Sequence, residues 1–425
     1  MTGPAHASPP AVRGWPAEIF LARLNAAADT DVTVMLRCET APRAAAVMAA
    51  LAAEGRRQPV AKIGVRARQL EPVRRAPLAF GPVRLGPSAD RAGPVDVVRA
   101  ADDPSVVIAR WSHLAGDARS CQEFLLDGLE RAGLLGDGPA CRCVRLPAGA
   151  SRPLVPADAW TILREKRSAG PLDALYAAGP AIGPMIRPAP ARLAAAAGPW
   201  PAGRDAFASV TMPSAPPGGG SRFAAVTAAV GALFGQPGRR RPARFGITVD
   251  IRRHEESMTG PDTAGNLSLV GWIDCPSGPD VPAAAVHARV QSLLKSRFWR
   301  QQLAFDAWLG NRSPAAVARA CDTLIGRLAD RAPVTVTELW RDDGTPCASC
   351  GHRRRRLPTD ISPVVIPPAM PPAGLTVGIT RTERETIAVL RRMTRPGTSA
   401  LAWLHAVTPR LRGGEVTMSG TVDLA

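Results

Sequence analysis

One histidine and one carboxylate stand four residues apart in the segment SHLAGDA, as His113 and Asp117. A neutral imidazole can accept a proton from an amine, a hydroxyl or a thiol near neutral pH. His113 is therefore the candidate general base of this chain, and a structural histidine with satisfied hydrogen bonds is the alternative. The chain has neither a G-x-S-x-G motif nor a phosphate-binding loop motif, which disfavours a serine hydrolase and a nucleotide hydrolase.

The residues around this segment predict a strand, a tight turn and a helix. The run 106–109 is apolar and β-branched, as expected of a buried strand. After the turn, one helical face carries five apolar residues, namely Cys121, Phe124, Leu125, Leu129 and Ala132. Ser120 and Glu123 have the S-x-x-E spacing of a capping box, which predicts that the helix begins at Ser120. Such a turn can hold His113 and Asp117 against a ligand.

This segment resembles the H-H-x-x-x-D-G motif of the chloramphenicol-acetyltransferase-like superfamily, which includes the condensation domains of nonribosomal peptide synthetases and stand-alone acyltransferases. His113 and Asp117 match the motif, whereas Ser112 replaces the first histidine and Ala118 replaces the glycine. The resemblance implies an α/β fold of two subdomains, each a mixed sheet with flanking helices, around a central tunnel. It further implies that His113 is catalytic and that Ser112 supports the loop.

Two more stretches carry the same resemblance. Lys62, at the end of QPVAK, stands where the family usually has an arginine. The stretch VDIR, which contains Asp250 and Arg252, is followed by Gly265-Asn266, like the family pattern D-x-R…G-N. The resemblance implies that Asp117 pairs with Lys62 or, failing that, with Arg252, in a structural role, and that Asp250, Gly265 and Asn266 line the tunnel. A solvated lysine and a surface ion pair are the alternatives.

The predicted strands and helices resemble the family in their order over nearly the whole chain. A Pro-, Ala- and Gly-rich linker at 186–204 separates an N-terminal subdomain, 1–185, from a C-terminal one, 205–425. Periodicity predicts helices at 16–28, 42–54, 221–234, 315–328 and 399–407, and strands at 31–38, 95–99, 207–212, 364–366 and 375–380.

The formal net charge of +17 comes almost entirely from arginine, because the chain has only three lysines. Such a surface attracts phosphates, as in coenzyme A, an acidic carrier protein or nucleic acid. Aromatic residues are only 4% of the chain and no nucleic-acid-binding motif occurs, so a nucleic-acid partner is disfavoured. The sequence shows neither a secretory signal nor an apolar run of about 20 residues, which predicts a cytoplasmic protein without a membrane partner.

Eight cysteines are scattered along the chain, which indicates thiols and not a disulfide framework. Cys347 and Cys350 form a C-x-x-C pair that could bind zinc, but no regular second pair accompanies it. We expect no metal site. The arginine run 353–356 is predicted to be a solvated loop.

These observations predict a stand-alone acyltransferase of the condensation type, acting in natural-product biosynthesis of the nonribosomal-peptide kind. The donor is an acyl or aminoacyl thioester on coenzyme A or on the phosphopantetheine of a carrier protein, and the acceptor is an amine or an alcohol. No bound cofactor is expected. Because Ser112 and Ala118 depart from the motif, a second hypothesis stays open: a non-catalytic relative that docks a carrier protein or a partner enzyme.

Overall fold

The computed structural model describes residues 31–57, 78–81, 95–100, 103–113, 116–135, 205–212, 221–234, 243–254, 267–275, 282–300, 302–303, 334–342, 355–368, 375–382, 385–393 and 415–422. These residues form two open sheets with flanking helices, so the predicted α/β fold is confirmed. The predicted linker and the predicted helices at 16–28, 315–328 and 399–407 lie outside the described residues.

The strands are β1 Val32–Cys38, β2 Leu78–Gly81, β3 Val95–Arg99, β4 Val106–Trp111, β5 Asp205–Met212, β6 Ala243–Asp250, β7 Ser268–Cys275, β8 Val334–Asp342, β9 Ile361–Ile366, β10 Leu375–Thr382, β11 Thr386–Met393 and β12 Glu415–Val422. The helices are α1 Ala41–Arg57, α2 Ala118–Arg131, α3 Arg222–Phe234 and α4 Ala283–Lys295. Each predicted strand and helix within the described residues is present, and α1 continues past its predicted end at 54.

The smaller sheet has the strand order β3-β4-β1-β9, and all of its pairings are antiparallel. Every residue of β4 is buried, because both faces of this strand are covered. Val107, Ala109 and Trp111 face a core shared with α1 and α2. Ile108 packs with Phe207 of the larger sheet. A strand buried on both faces is continuously apolar, which explains the run that predicted β4.

The larger sheet is mixed, with the order β2-β12-β5-β11-β10-β8-β6-β7. Its parallel pairings are β10 with β8 and β6 with β8. The helices α3 and α4 cover one face, where Val230 and Val286 pack with Phe245 and Val336. Each sheet takes one strand from the other half of the chain, because β9 lies beside β1 and β2 lies beside β12. The subdomain boundaries 1–185 and 205–425 stay a prediction.

Among the helices of the described residues, none is long and apolar enough to cross a membrane.

Candidate active site

Contacts of the buried Trp111 side chain connect the two ends of the turn between β4 and α2. Trp111, at the end of β4, is fully buried, and its indole Nε1 donates a hydrogen bond of 3.0 Å to the carbonyl of Gly116. Its ring also packs on Phe124 of α2, with ring centroids 5.4 Å apart. Gly116 has φ 151°, a backbone conformation that favours glycine. Ser112 is buried beside Trp111, and His113 is half-buried.

Helix α2 begins at Ala118, and the predicted cap at Ser120 is wrong. Asp117 is the N-cap, because its carboxylate accepts the Ser120 amide at 3.1 Å. Ala118 is simply the first helical residue, a position that does not need glycine. Glu123, the other residue of the predicted capping box, binds Arg119 and Arg355 instead.

Asp117 is 1% exposed and joins the two sheets. Arg252 follows β6 and donates two hydrogen bonds to this carboxylate, from Nη1 to Oδ2 at 2.9 Å and from Nη2 to Oδ1 at 3.2 Å. The Ser268 hydroxyl donates at 2.8 Å and the Leu267 amide at 3.1 Å. The structure shows the pairing with Arg252, which was given above as the second choice. Lys62, the first choice, lies outside the described residues.

The surroundings of Asp117 and Arg252 favour the charged form of each side chain. Burial raises the pKa of Asp117, but Arg252 and the hydrogen bonds from Ser120 and Ser268 outweigh it, and the pKa falls below its ordinary value. Burial lowers the pKa of Arg252, and the two carboxylates of Asp117 and Asp250 raise it by more. Asp250 contacts Nη1 of Arg252 at 3.0 Å. Both members of the central pair are therefore held in their charged forms.

A cavity of about 290 Å³ lies between the start of α2 and the larger sheet. Its lining includes His113, Asp250 and Ser268. Asp117 borders the cavity with almost no exposed surface. The predicted tunnel residues Gly265 and Asn266 lie outside the described residues.

The sequence analysis missed several residues of the cavity wall. Ser268 follows the G-N pair by two positions, and this closeness to the motif could have indicated it as a site residue. His254 follows Arg252 by two positions, lines the same cavity and stacks on Trp299 with ring centroids 5.2 Å apart. Thr337 comes from β8, a strand that the sequence analysis did not identify.

Arg355 corrects the prediction of a solvated arginine loop. This guanidinium is buried and bonds three carboxylates of α2, those of Glu123, Asp127 and Glu130. The spacing of these acidic residues, four and then three positions, places them on one face of the helix. Arg355 therefore fixes the helix whose first residues form the site. Arg353 and Arg354 lie outside the described residues.

Cys121 lies on the first turn of α2, close to Asp117, and is the nearest thiol to the site that the structure describes. Burial, and then the charge of Asp117, raise its pKa far above the ordinary value. Because the thiolate is the nucleophilic form, this raised pKa disfavours Cys121 as a nucleophile. No group of metal-ligating residues occurs within the described ranges, and Cys347 and Cys350 lie outside them.

Neither a protein-family model nor a curated protein sequence matches the chain significantly. Solved structures do match. The trichothecene 15-O-acetyltransferase TRI3 from Fusarium sporotrichioides has a TM-score of 0.49 and 10% identity, over 94% of this chain and 93% of its own. Polyketide synthase associated protein 5 from Mycobacterium tuberculosis has a TM-score of 0.47 and 14% identity, over 93% and 96%. The X-domain from teicoplanin biosynthesis has a TM-score of 0.42 and 14% identity, over 96% and 95%.

The chain is similar in fold to these three structures, in agreement with the resemblance stated from the motifs. With TM-scores of 0.42 to 0.49, these matches concern the fold, and no argument about activity, substrate or partner rests on them.

Proposed function

We propose that this protein transfers an acyl group from a thioester to an amine or a hydroxyl, with His113 as the general base. The observation that carries the proposal is the division of roles within the motif. His113 lines the cavity with a half-buried side chain, whereas Asp117 is buried beneath it and held by charged and neutral donors. The imidazole is thus the titratable group of the H-x-x-x-D pair that can meet a substrate.

The proposed reaction needs no covalent enzyme intermediate. His113 accepts the proton of the acceptor N–H or O–H as the acceptor atom attacks the thioester carbonyl carbon. A carbon–nitrogen or carbon–oxygen bond forms, the carbon–sulfur bond breaks, and the imidazolium returns its proton to the departing thiolate. The ion pair of Asp117 with Arg252 keeps the turn in place while the charge of His113 changes.

The proposed donor is a thioester on coenzyme A or on the phosphopantetheine of a carrier protein, and the proposed setting is natural-product biosynthesis in the cytoplasm. The arginine excess, within a net charge of +17, supports docking of a phosphate or an acidic protein. Ser112 is proposed to support the loop, and Asp250, Gly265 and Asn266 are proposed to line the substrate path.

The second candidate function is docking of a carrier protein without catalysis. The observation that favours it is Ser112, which replaces the first histidine of the motif. The two candidates differ in one measurable property, because only the first requires a proton acceptor at position 113.

The test combines purified protein with acyl and aminoacyl thioesters, on coenzyme A and on carrier proteins, and with amine and alcohol acceptors. His113→Ala is expected to lower turnover by about a hundredfold or more, the usual scale for loss of a general base. His287→Ala is the matched control, because His287 is exposed on α4 and does not line the cavity.

Full activity of the His113→Ala variant would show that this histidine is not the base. If no thioester is turned over by the unmodified protein while a carrier protein binds to it, the docking function replaces the catalytic one.

A further inference from the structure

Two neighbouring strands of the larger sheet separate beside the candidate site. Strands β6 and β8 are paired from Phe245 with Val334 to Ile247 with Val336, and within 243–254 and 334–342 no further pair follows. Strand β8 stays paired with β10 as far as Asp342, but its register shifts after Glu338. Such a bulge bends the bulged strand. The end of β8 contacts α2, where the Gln122 side chain donates to the Arg341 carbonyl at 3.2 Å.

The cavity occupies the space between the separating strands. Both strands contribute lining residues from beyond their last pair, namely Thr248, Val249 and Asp250 on β6 and Thr337, Glu338, Leu339 and Arg341 on β8. The same cavity is lined by His113 on one side of the sheet and by Val290 and Leu294 of α4 on the other. The gap therefore connects the histidine to the space beneath the helices.

The two sides of the gap differ in chemistry. Side chains alternate across a strand, so Thr248 and Asp250 face the side of His113, and Ile247 and Val249 face the helices. On the helix side, six lining residues form an apolar arm, and these are Phe223, Ile247, Val249, Leu269, Val290 and Leu294. An ammonium group placed among these side chains would lose its hydration without gaining a charged partner.

We infer that the apolar arm binds the unbranched aliphatic chain of an acyl donor, while the strand gap lets the thioester carbonyl reach His113. The reaction in which this chain takes part rests on the proposed function. Binding of an aliphatic chain in the apolar arm does not rest on it. The donor class is thus a simple acyl thioester, in preference to an aminoacyl one. Burial of each additional methylene raises affinity by about fourfold until the arm is full.

The experiment measures binding of unreactive thioethers, S-alkyl-N-acetylcysteamines from ethyl to decyl, by calorimetry. Affinity is expected to rise by about fourfold per methylene, to pass through a maximum and then to fall. Leu294→Ala is expected to move the maximum to a longer chain, and Leu294→Trp to a shorter one.

Leu293→Ala is the matched control. Leu293 is a half-buried leucine of the same helix, but it packs over Gly271 of β7, where an added Cβ would lie 2.7 Å from its Cδ2, and it does not line the cavity. This variant should lose comparable stability and keep the original chain-length maximum. Thermal unfolding of all three variants identifies any that fails to fold.

Affinity independent of chain length, or equal shifts in the Leu293 and Leu294 variants, would overturn the inference. If thioesters are not turned over but the chain-length maximum is present and moves as expected, the proposed function fails and the arm stands. If turnover occurs and aminoacyl donors are preferred, the arm fails and the proposed reaction stands.

Discussion

Replacement of Arg252 by methionine tests the central claim about the site, that a buried ion pair locks the turn carrying His113. The variant keeps most of the apolar volume and removes two charged donors from Asp117. The carboxylate is 1% exposed and the guanidinium 4%, so water cannot replace the lost partner without a local opening. Loss of one member of a buried pair costs about 3–5 kcal/mol, and we expect this loss in the free energy of unfolding.

Arg43→Met is the control for this change. Arg43 forms an ion pair with Asp360 of similar length, 2.7 Å, but the two side chains are 24% and 31% exposed. Water screens this pair, and its loss should cost at most about 1 kcal/mol. Both variants are compared with the unmodified protein by urea unfolding near neutral pH. If Arg252→Met destabilises the protein no more than Arg43→Met, the buried pair does not lock the turn.

The dependence on pH gives a second criterion. The pKa of Asp117 in the folded protein lies below its ordinary value of 3.8, so the stabilisation by this ion pair is present above that value and is lost as the pH falls through the folded pKa. In the methionine variant burial remains without the guanidinium, and the pKa of Asp117 should rise. Protonation of Asp117 then removes the unpaired buried charge of the variant. The difference in the free energy of unfolding between the unmodified protein and the variant should therefore become smaller from about pH 7 to about pH 4. A constant difference would contradict the assignment.

Three further outcomes follow from the same structure. Arg355→Met leaves three carboxylates of α2 without their shared cation and should accelerate amide hydrogen exchange along this helix. Arg57→Met should not, because Arg57 is half-exposed and Arg131 still contacts the buried Glu54 carboxylate after the change. Gly116→Ala should cost about 1–3 kcal/mol, because φ is 151° there, while Ala118→Gly should cost at most about 1 kcal/mol; equal effects in unfolding experiments would contradict this assignment. Elemental analysis should find well under one zinc per chain, and a stoichiometric zinc that is lost in the Cys347→Ser, Cys350→Ser variant would reverse this expectation.

The local parts of the site could be predicted from the sequence, because local patterns determine them. The apolar run of β4 and the one-sided pattern of α2 correctly predicted a strand, a turn and a helix around His113 and Asp117. The start of α2 was misplaced because Asp117 and Ser120 are both good N-cap residues. The choice between them depends on Arg252, which lies 135 positions further along the chain and holds the Asp117 carboxylate.

The non-local parts could not be predicted in the same way. The burial of Arg355 depends on acidic residues more than 220 positions earlier, and its sequence context is that of an exposed basic loop. The separation of β6 from β8 and the register shift between β8 and β10 have no local sequence signal. Both features involve tertiary contacts between segments that are far apart in the sequence. The residue pattern within one segment carries no information about such contacts.

The same contacts explain how the chain tolerates serine where the motif has its first histidine. In this structure the turn is fixed from its two ends, by the bond from Trp111 to Gly116 and by the ion pair of Asp117 with Arg252. Ser112 lies between these anchors and is itself buried. A further supporting side chain would therefore add little to a turn that these two contacts already anchor. On this argument the serine is compatible with an active His113, and activity should depend more on Arg252 than on Ser112.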